Sequence, residues 1–187
     1  MSNSDKLYDF YLASPLFDDE DNAELSLLES HFKSSNVKVF SPRLDSKIDL
    51  RSAKTISERN QMAQAIFDLN INAINSSKII LINTIGTRHK NAIYADPGTM
   101  IEAGYAIAKN IPIVTYNFKG FGLNIMLTQK SVMHFSDLSL TNTEKLNEIN
   151  AILAKYDELV TNSPDYYISE KLREHFNNFS EVTEKFN

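Results

Sequence analysis

"KIILIN", Lys78 to Asn83, is a short apolar run with no alternation of polar residues. A strand with one wet face would alternate, so this one reads as a parallel strand buried on both faces. On its N-terminal side a helical pattern runs from Thr55 to Asn75, with Ile56, Ala63, Ile66 and Ile71 among its apolar positions. Further upstream, "YDFYLASPLF" reads as a first strand that ends near Ala13, because Ser14-Pro15 stops pairing. "VKVF" is a second short strand, closed by Ser41-Pro42, and between the two Leu25, Leu28 and Phe32 mark one face of a helix. Downstream comes the connection "TIGTRHKNAIYADPG", of a length often found in functional loops. A helix from Thr99 to Lys109, the strand "IPIVTY", a short helix "LNIMLTQ" and the strand "VMHF" follow.

Strands alternating with helices imply an α/β fold, doubly wound and flavodoxin-like or Rossmann-like, with a mostly parallel five-stranded sheet. Residues 1–138 account for it. Residues 139–187 carry two amphipathic patterns, "TNTEKLNEINAILAKYDELV" and "SPDYYISEKLREHFNNF", and read as a C-terminal helical extension packed on that core. Ligands of such sheets bind outside the carboxyl ends of the strands. Those ends carry Ser14-Pro15, the 41–54 loop, the 84–98 loop and the turn after Tyr116.

Composition narrows the function classes. The chain has 187 residues, 42% of them hydrophobic and 23% charged, with a net charge of −5. Its 19 basic residues are scattered among 24 acidic ones, so no clustered basic face for nucleic acid is expected. Without cysteine there are no disulfides, thiolate metal sites or cysteine nucleophiles, which fits a cytoplasmic location. The four histidines, at 31, 89, 134 and 175, lack metal-ligand spacing. The start has no basic region followed by a long apolar core, so no signal peptide is expected. No apolar run approaches the roughly 20 residues of a bilayer span.

Chemistry concentrates in "DPGTMIEAGYAIAKN", Asp96 to Asn110. Thr99-Met-Ile-Glu102 matches a capping box, while Asp96-Pro97 offers a second cap with proline at the first helical position. Either reading gives these residues a purely structural task. The functional reading of Glu102 is a carboxylate in the first helical turn, held ionised by free backbone N–H groups. Such a group can attack an anomeric carbon in a retaining glycosyl transfer, with a second acid serving the leaving group. Asp96 and Asp68 are candidates for that second acid. Gly98 and Gly104 fit close backbone or helix–sheet approach.

Four stretches, "FYLASPLF", "ERNQMAQAIFDLNINAINSSKIILI", "DPGTMIEAGYAIAKNIPIV" and "GLNIMLTQ", together resemble the nucleoside 2-deoxyribosyltransferase family over residues 8 to 136. The resemblance implies that Glu102 is the nucleophile, forming a covalent deoxyribosyl-enzyme, and that Tyr11 orients it. It implies that Asp68 contacts the base and helps protonate it, and that Asp96 holds the 5′-hydroxyl or assists at the base. Asn124 would reach the sugar in a neighbouring subunit's site, making the protein a homo-oligomer, up to a hexamer, with shared sites. Ser14, Pro15, Gly98, Phe40 and, for the base, Asp45 complete the expected substrate contacts. The substrates implied are deoxynucleosides and free nucleobases, with neither metal nor organic cofactor.

Two further expectations concern the pocket. Phe10, Leu12, Phe17 and Phe40 are candidates for apolar walls that keep water from the intermediate. A sister group hydrolyses deoxynucleoside 5′-monophosphates, but the first strand here runs into "SPLFDDED", whose four acids would repel a phosphate dianion. Arg43, Arg51 and Arg59 are the cations that could approach from elsewhere. The turn "ASPLFDDED" looks more like the purine-preferring branch. The competing readings are hydrolysis of the same bond and a non-catalytic nucleotide sensor, which would not need Tyr11, Asp68, Asp96 and Glu102 together.

Overall fold

The computed structural model describes residues 6–16, 19–89, 92–94, 96–118, 122–136, 138, 143–162 and 167–176. In chain order the elements are β1 (Tyr8–Ala13), α1 (Asp19–Ser34), β2 (Val39–Phe40), α2 (Pro42–Asp45), α3 (Ile56–Asn75), β3 (Ser77–Asn83), β4 (Gly86–His89), β5 (Ala92–Tyr94), α4 (Pro97–Ala108), β6 (Ile113–Tyr116), α5 (Ile125–Thr128), β7 (Ser131–Phe135), α6 (Thr143–Asn162) and α7 (Ile168–His175). A 3-10 turn at Leu50–Ser52 precedes α3.

Five strands form one sheet in the order β2-β1-β3-β6-β7, every pairing parallel. This is the doubly wound, flavodoxin-like order that the apolar run of β3 implies, with β3 at its centre. The 84–98 connection, expected as a loop, instead contains the antiparallel pair β4–β5. Its short runs lack the apolar density that marks a sheet strand.

The period of two along the strands sorts side chains onto two faces. Phe10 and Leu12 of β1, Ile79 and Leu81 of β3, and Val114 and Tyr116 of β6 join one buried cluster with Leu25, Leu28 and Phe32 of α1. The same cluster takes in Leu146, Ile149, Ile152 and Tyr156 of α6 and Ile168 and Leu172 of α7. The described part of the C-terminal extension is therefore woven into the core. Lys78 reinforces the join, its Nζ lying 2.9 Å from Asp9 Oδ1 and 2.8 Å from Asp157 Oδ1.

Tyr11, Ala13, Ile80, Ile82 and Ile113 point to the opposite face, against Ala73 and Ile74 of α3 and Ala103 and Ala106 of α4. This corrects the expectation for Phe10 and Leu12: they face the α1 layer and cannot wall a site built around Tyr11. Phe17 lies outside the described residues. α3 begins with a capping box, Thr55 Oγ1 accepting from Glu58 N–H at 3.1 Å and Glu58 Oε2 accepting from Thr55 N–H at 3.2 Å. Its fixed start lets the helix project, and among its residues only Ala73 and Ile74 are fully buried.

Candidate active site

Tyr11 is in the fourth position of β1, fully buried, registered between Phe40 on one side and Ile80 on the other. The Phe40 ring stacks on it at 5.6 Å with an interplanar angle of 8°, so Phe40 backs the tyrosine. The phenol donates a hydrogen bond of 2.5 Å to Glu102 Oε1. Burial first, then the neighbouring carboxylate and this bond, push the Tyr11 hydroxyl far above its ordinary range. It therefore stays a neutral donor at any physiological pH.

Glu102 comes from α4, whose first residue is Pro97 and whose cap is Asp96. Asp96 Oδ2 accepts from the Thr99 N–H at 2.8 Å and from the Thr99 hydroxyl at 3.2 Å. Of the two caps legible in the sequence, the structure takes Asp96-Pro97, and the helix starts two residues before Thr99. Glu102 thus stands in the second turn, beyond the free N–H groups, and has no capping task. The expectation that the helix start holds it ionised is corrected accordingly. Burial dominates and pushes its carboxyl up to about 7, with the charge of Asp96 adding to the effect. Hydrogen bonds from Tyr11 and Asn70 pull the other way.

Asn70 is the residue the sequence reading missed. Its Nδ2 donates to Glu102 Oε1 at 3.2 Å. Asp68, expected at this place, is exposed and accepts from Gln64 Nε2 at 2.9 Å on the outer face of α3. Two residues span about 200° of helical turn, so Asp68 and Asn70 cannot face the same side. The signal was present: Asn70 lies three and four residues before the buried pair Ala73 and Ile74, whereas Asp68 does not share that spacing.

The other expected residues divide. Ser14 Oγ accepts from Asn83 Nδ2 at 3.2 Å, and Asn83 Oδ1 accepts from the Ile85 N–H at 3.2 Å, which ties the turns after β1 and β3 together. Pro15 is buried beside Ser14. A Cβ on Gly98 would stand 3.0 Å from Asp96 Oδ2, so glycine there keeps the cap clear. Gly104 is different: among the described residues a Cβ would meet nothing within 4 Å, and the expected close helix–sheet approach is not made there. Asp45 is exposed, and its Oδ2 accepts from the Ser41 N–H at 2.8 Å, closing the short α2 turn. Asn124 is the exposed N-cap of α5, its Oδ1 accepting from the Met126 N–H at 2.9 Å.

Fold and site together describe a doubly wound α/β protein with a half-buried carboxylate, gripped by a phenol and an amide, on the α3–α4 face of its sheet. The family model of nucleoside 2-deoxyribosyltransferases matches residues 10–133. The chain belongs to that family. Among solved structures, the 2-deoxyribosyltransferase of the psychrotolerant bacterium Bacillus psychrosaccharolyticus shares the fold at 21% identity and a TM-score of 0.56, over 72% of this chain and 89% of that one. A Leishmania mexicana 2-deoxyribosyltransferase is also 21% identical, over 66% of this chain and 72% of its own, with a TM-score of 0.43. A conserved protein of Enterococcus faecalis V583 is 21% identical over 80% and 96%, with a TM-score of 0.45. No curated protein sequence matches the chain. Among the described residues no helix is long and apolar enough to cross a membrane.

Proposed function

We propose that the protein transfers 2-deoxyribose between nucleobases, with a purine bias, through a covalent deoxyribosyl-Glu102 intermediate. The observation that carries this reading is the convergence of Tyr11 and Asn70 on a single oxygen of Glu102, Oε1. Oε2 is then the attacking atom. It bonds to C1′ of the deoxynucleoside as the C1′–N bond breaks, and the bonding pair leaves on the base, which takes up a proton at a ring nitrogen. A second base attacks C1′ from the face the first one left, expels the carboxylate and gives up its proton. Both halves balance, and two inversions retain the β configuration. Asp96, whose charge acts on Glu102, is our candidate for the group that meets the 5′-hydroxyl or the base.

A neutral nucleoside suits the site better than a nucleotide. Arg43 is paired with Glu29, which also accepts from the Ser41 hydroxyl at 2.5 Å. Arg51 is paired with Asp49, out in solvent. The purine bias rests on the "ASPLFDDED" turn alone. Shared sites in a homo-oligomer are supported by apolar side chains left exposed on this side of the chain: Ile56 and Phe67 of α3, Ile101 of α4, and Ile125 and Met126 of α5. Open space beyond Gly104 and the exposed position of Asn124 fit the same arrangement.

Purified protein mixed with deoxyinosine and adenine is expected to yield deoxyadenosine and hypoxanthine, followed by chromatography. Release of free deoxyribose without exchange would identify a hydrolase, and no turnover of either kind would refute the enzymatic reading. A 2-fluoro-2-deoxyriboside should label Glu102, located by peptide mass mapping.

A further inference from the structure

Tyr11 already donates to Glu102 Oε1, so the group that Asn70 presents to that oxygen is its NH2 and not its carbonyl. The orientation of the amide is thereby fixed. Its other end, Oδ1, is buried and has no hydrogen-bond partner among the described residues. Folded proteins leave few such carbonyls unpaired, and each one left needs a reason, a catalytic or ligand-binding role among them. This orphan acceptor and the nucleophile are bridged by one amide group, so whatever satisfies Oδ1 lies beside the reacting carboxylate.

We propose that Asn70 is a positioning and specificity residue: Nδ2 commits Glu102 to attack through Oε2, while Oδ1 accepts a hydrogen bond from a donor on the substrate. The inference rests on the reading of Glu102 as the nucleophile. The donor is an O–H or N–H, supplied by the 3′-hydroxyl of the sugar or by an amino group of the base. Asn70 has no proton to give up, so the α3 residue facing the nucleophile acts as an acceptor and a clamp, not as the acid for the departing base.

Steady-state kinetics of wild type, Asn70→Ala and Asn70→Asp on three substrates test this. The substrates are deoxyadenosine, 2′,3′-dideoxyadenosine without the 3′-hydroxyl, and purine 2′-deoxyriboside without the 6-amino group. Asn70→Ala should lower kcat/KM on deoxyadenosine by about 10- to 100-fold, the loss expected for hydrogen bonds to a charged group. The penalty should shrink several-fold on the one analogue that lacks the donor, and that analogue names the source. Equal penalties on all three would overturn the acceptor role. The acid limb of the pH profile of kcat/KM should move to higher pH in Asn70→Ala and further in Asn70→Asp, which adds a like charge. An unmoved limb would overturn the positioning role. If the alanine variant fails to fold, Asn70→Asp, which keeps the shape and an accepting oxygen, carries the positioning test. Asn70→Leu, of similar shape without an acceptor, then carries the substrate comparison. An aspartate variant faster than wild type would mean that an acid is wanted here, against the proposal. Labelling of wild-type Glu102 by the fluorinated sugar separates the levels: with no label the nucleophile reading falls, and with label but an indifferent Asn70 only this inference does.

Discussion

The two faces of the sheet use the same five strands for opposite ends. Toward α1, α6 and α7 the cluster is almost wholly apolar, built from Phe10, Leu12, Ile79, Leu81 and their helical partners. Toward α3 and α4 the strand residues are as deeply buried, yet Tyr11 ends in a hydrogen bond to a carboxylate whose own pKa burial has raised. An apolar layer gains stability from every group it hides, whereas a buried carboxylate costs stability unless it is protonated or well bonded. The first face holds the molecule together. The second spends part of that stability to keep one oxygen reactive.

Removing the carboxylate should separate these roles most sharply. Glu102→Gln keeps an oxygen for Tyr11 and Asn70 but cannot form a stable glycosyl ester, so exchange should fall by on the order of 10⁴-fold or more. Stability should move the other way. The Glu102 carboxyl sits at about 7 in the folded chain against an ordinary 4.5, so the folded state binds this proton more tightly than the unfolded one. That contribution is complete below pH 4.5 and is lost as the pH rises through 7. At pH 8, Glu102→Gln should therefore be more stable than wild type by about 2 kcal/mol in urea unfolding, and close to it at pH 4. A variant that is inactive and also destabilised at pH 8 would show that the carboxylate is structural.

On the apolar face the signs reverse. Leu172, fully buried on α7, joins the α1 and α6 side of the core. Leu172→Ala should cost about 3 kcal/mol of unfolding free energy, while the pH profile of the remaining folded enzyme stays where it was. A loss near zero would mean that α7 only rests on the surface. Tyr11→Phe makes the complementary change, keeping the stack on Phe40 but removing the donor to Glu102. The expected result is a fall in kcat/KM of about 30-fold. The acid limb, near pH 7 in wild type, should move upward, because that hydrogen bond stabilises the charged nucleophile.

The same contrast explains what could be read in advance. The apolar layer writes itself into the sequence through period: "KIILIN" for a doubly buried strand, and Leu25, Leu28 and Phe32 for a helical face. Sheet class and strand identity follow from such patterns. Tyr11 follows from a family resemblance alone, whereas for Glu102 the chain itself offers both a nucleophile and a competing capping role. Deciding it needed the true start of α4, a boundary set by whether Asp96 or Thr99 captures the N–H groups. The β4–β5 pair and the burial that raises the Glu102 pKa are tertiary properties with no local signature. Phase along α3 is legible in the sequence, and it sets Asn70, not Asp68, on the side of the buried pair Ala73 and Ile74.

Asp68 gives the smallest and most discriminating test. In this chain its carboxylate lies on the exposed side of α3, engaged by Gln64 one turn earlier. An exposed i, i+4 pair contributes a few tenths of a kcal/mol, so Asp68→Ala should leave stability within about 0.5 kcal/mol of wild type. If no second chain approaches this face, exchange should change by less than about twofold, within the same scale of free energy. A loss beyond tenfold, measured beside an intact fold, would bring the outer face of α3 into a site. That site would belong to a neighbouring copy, since the helical turn that aims Asn70 at Glu102 aims Asp68 away from it. Repeating the assay across a dilution series would then decide the matter, because a shared site loses activity as the copies separate and a self-contained one does not.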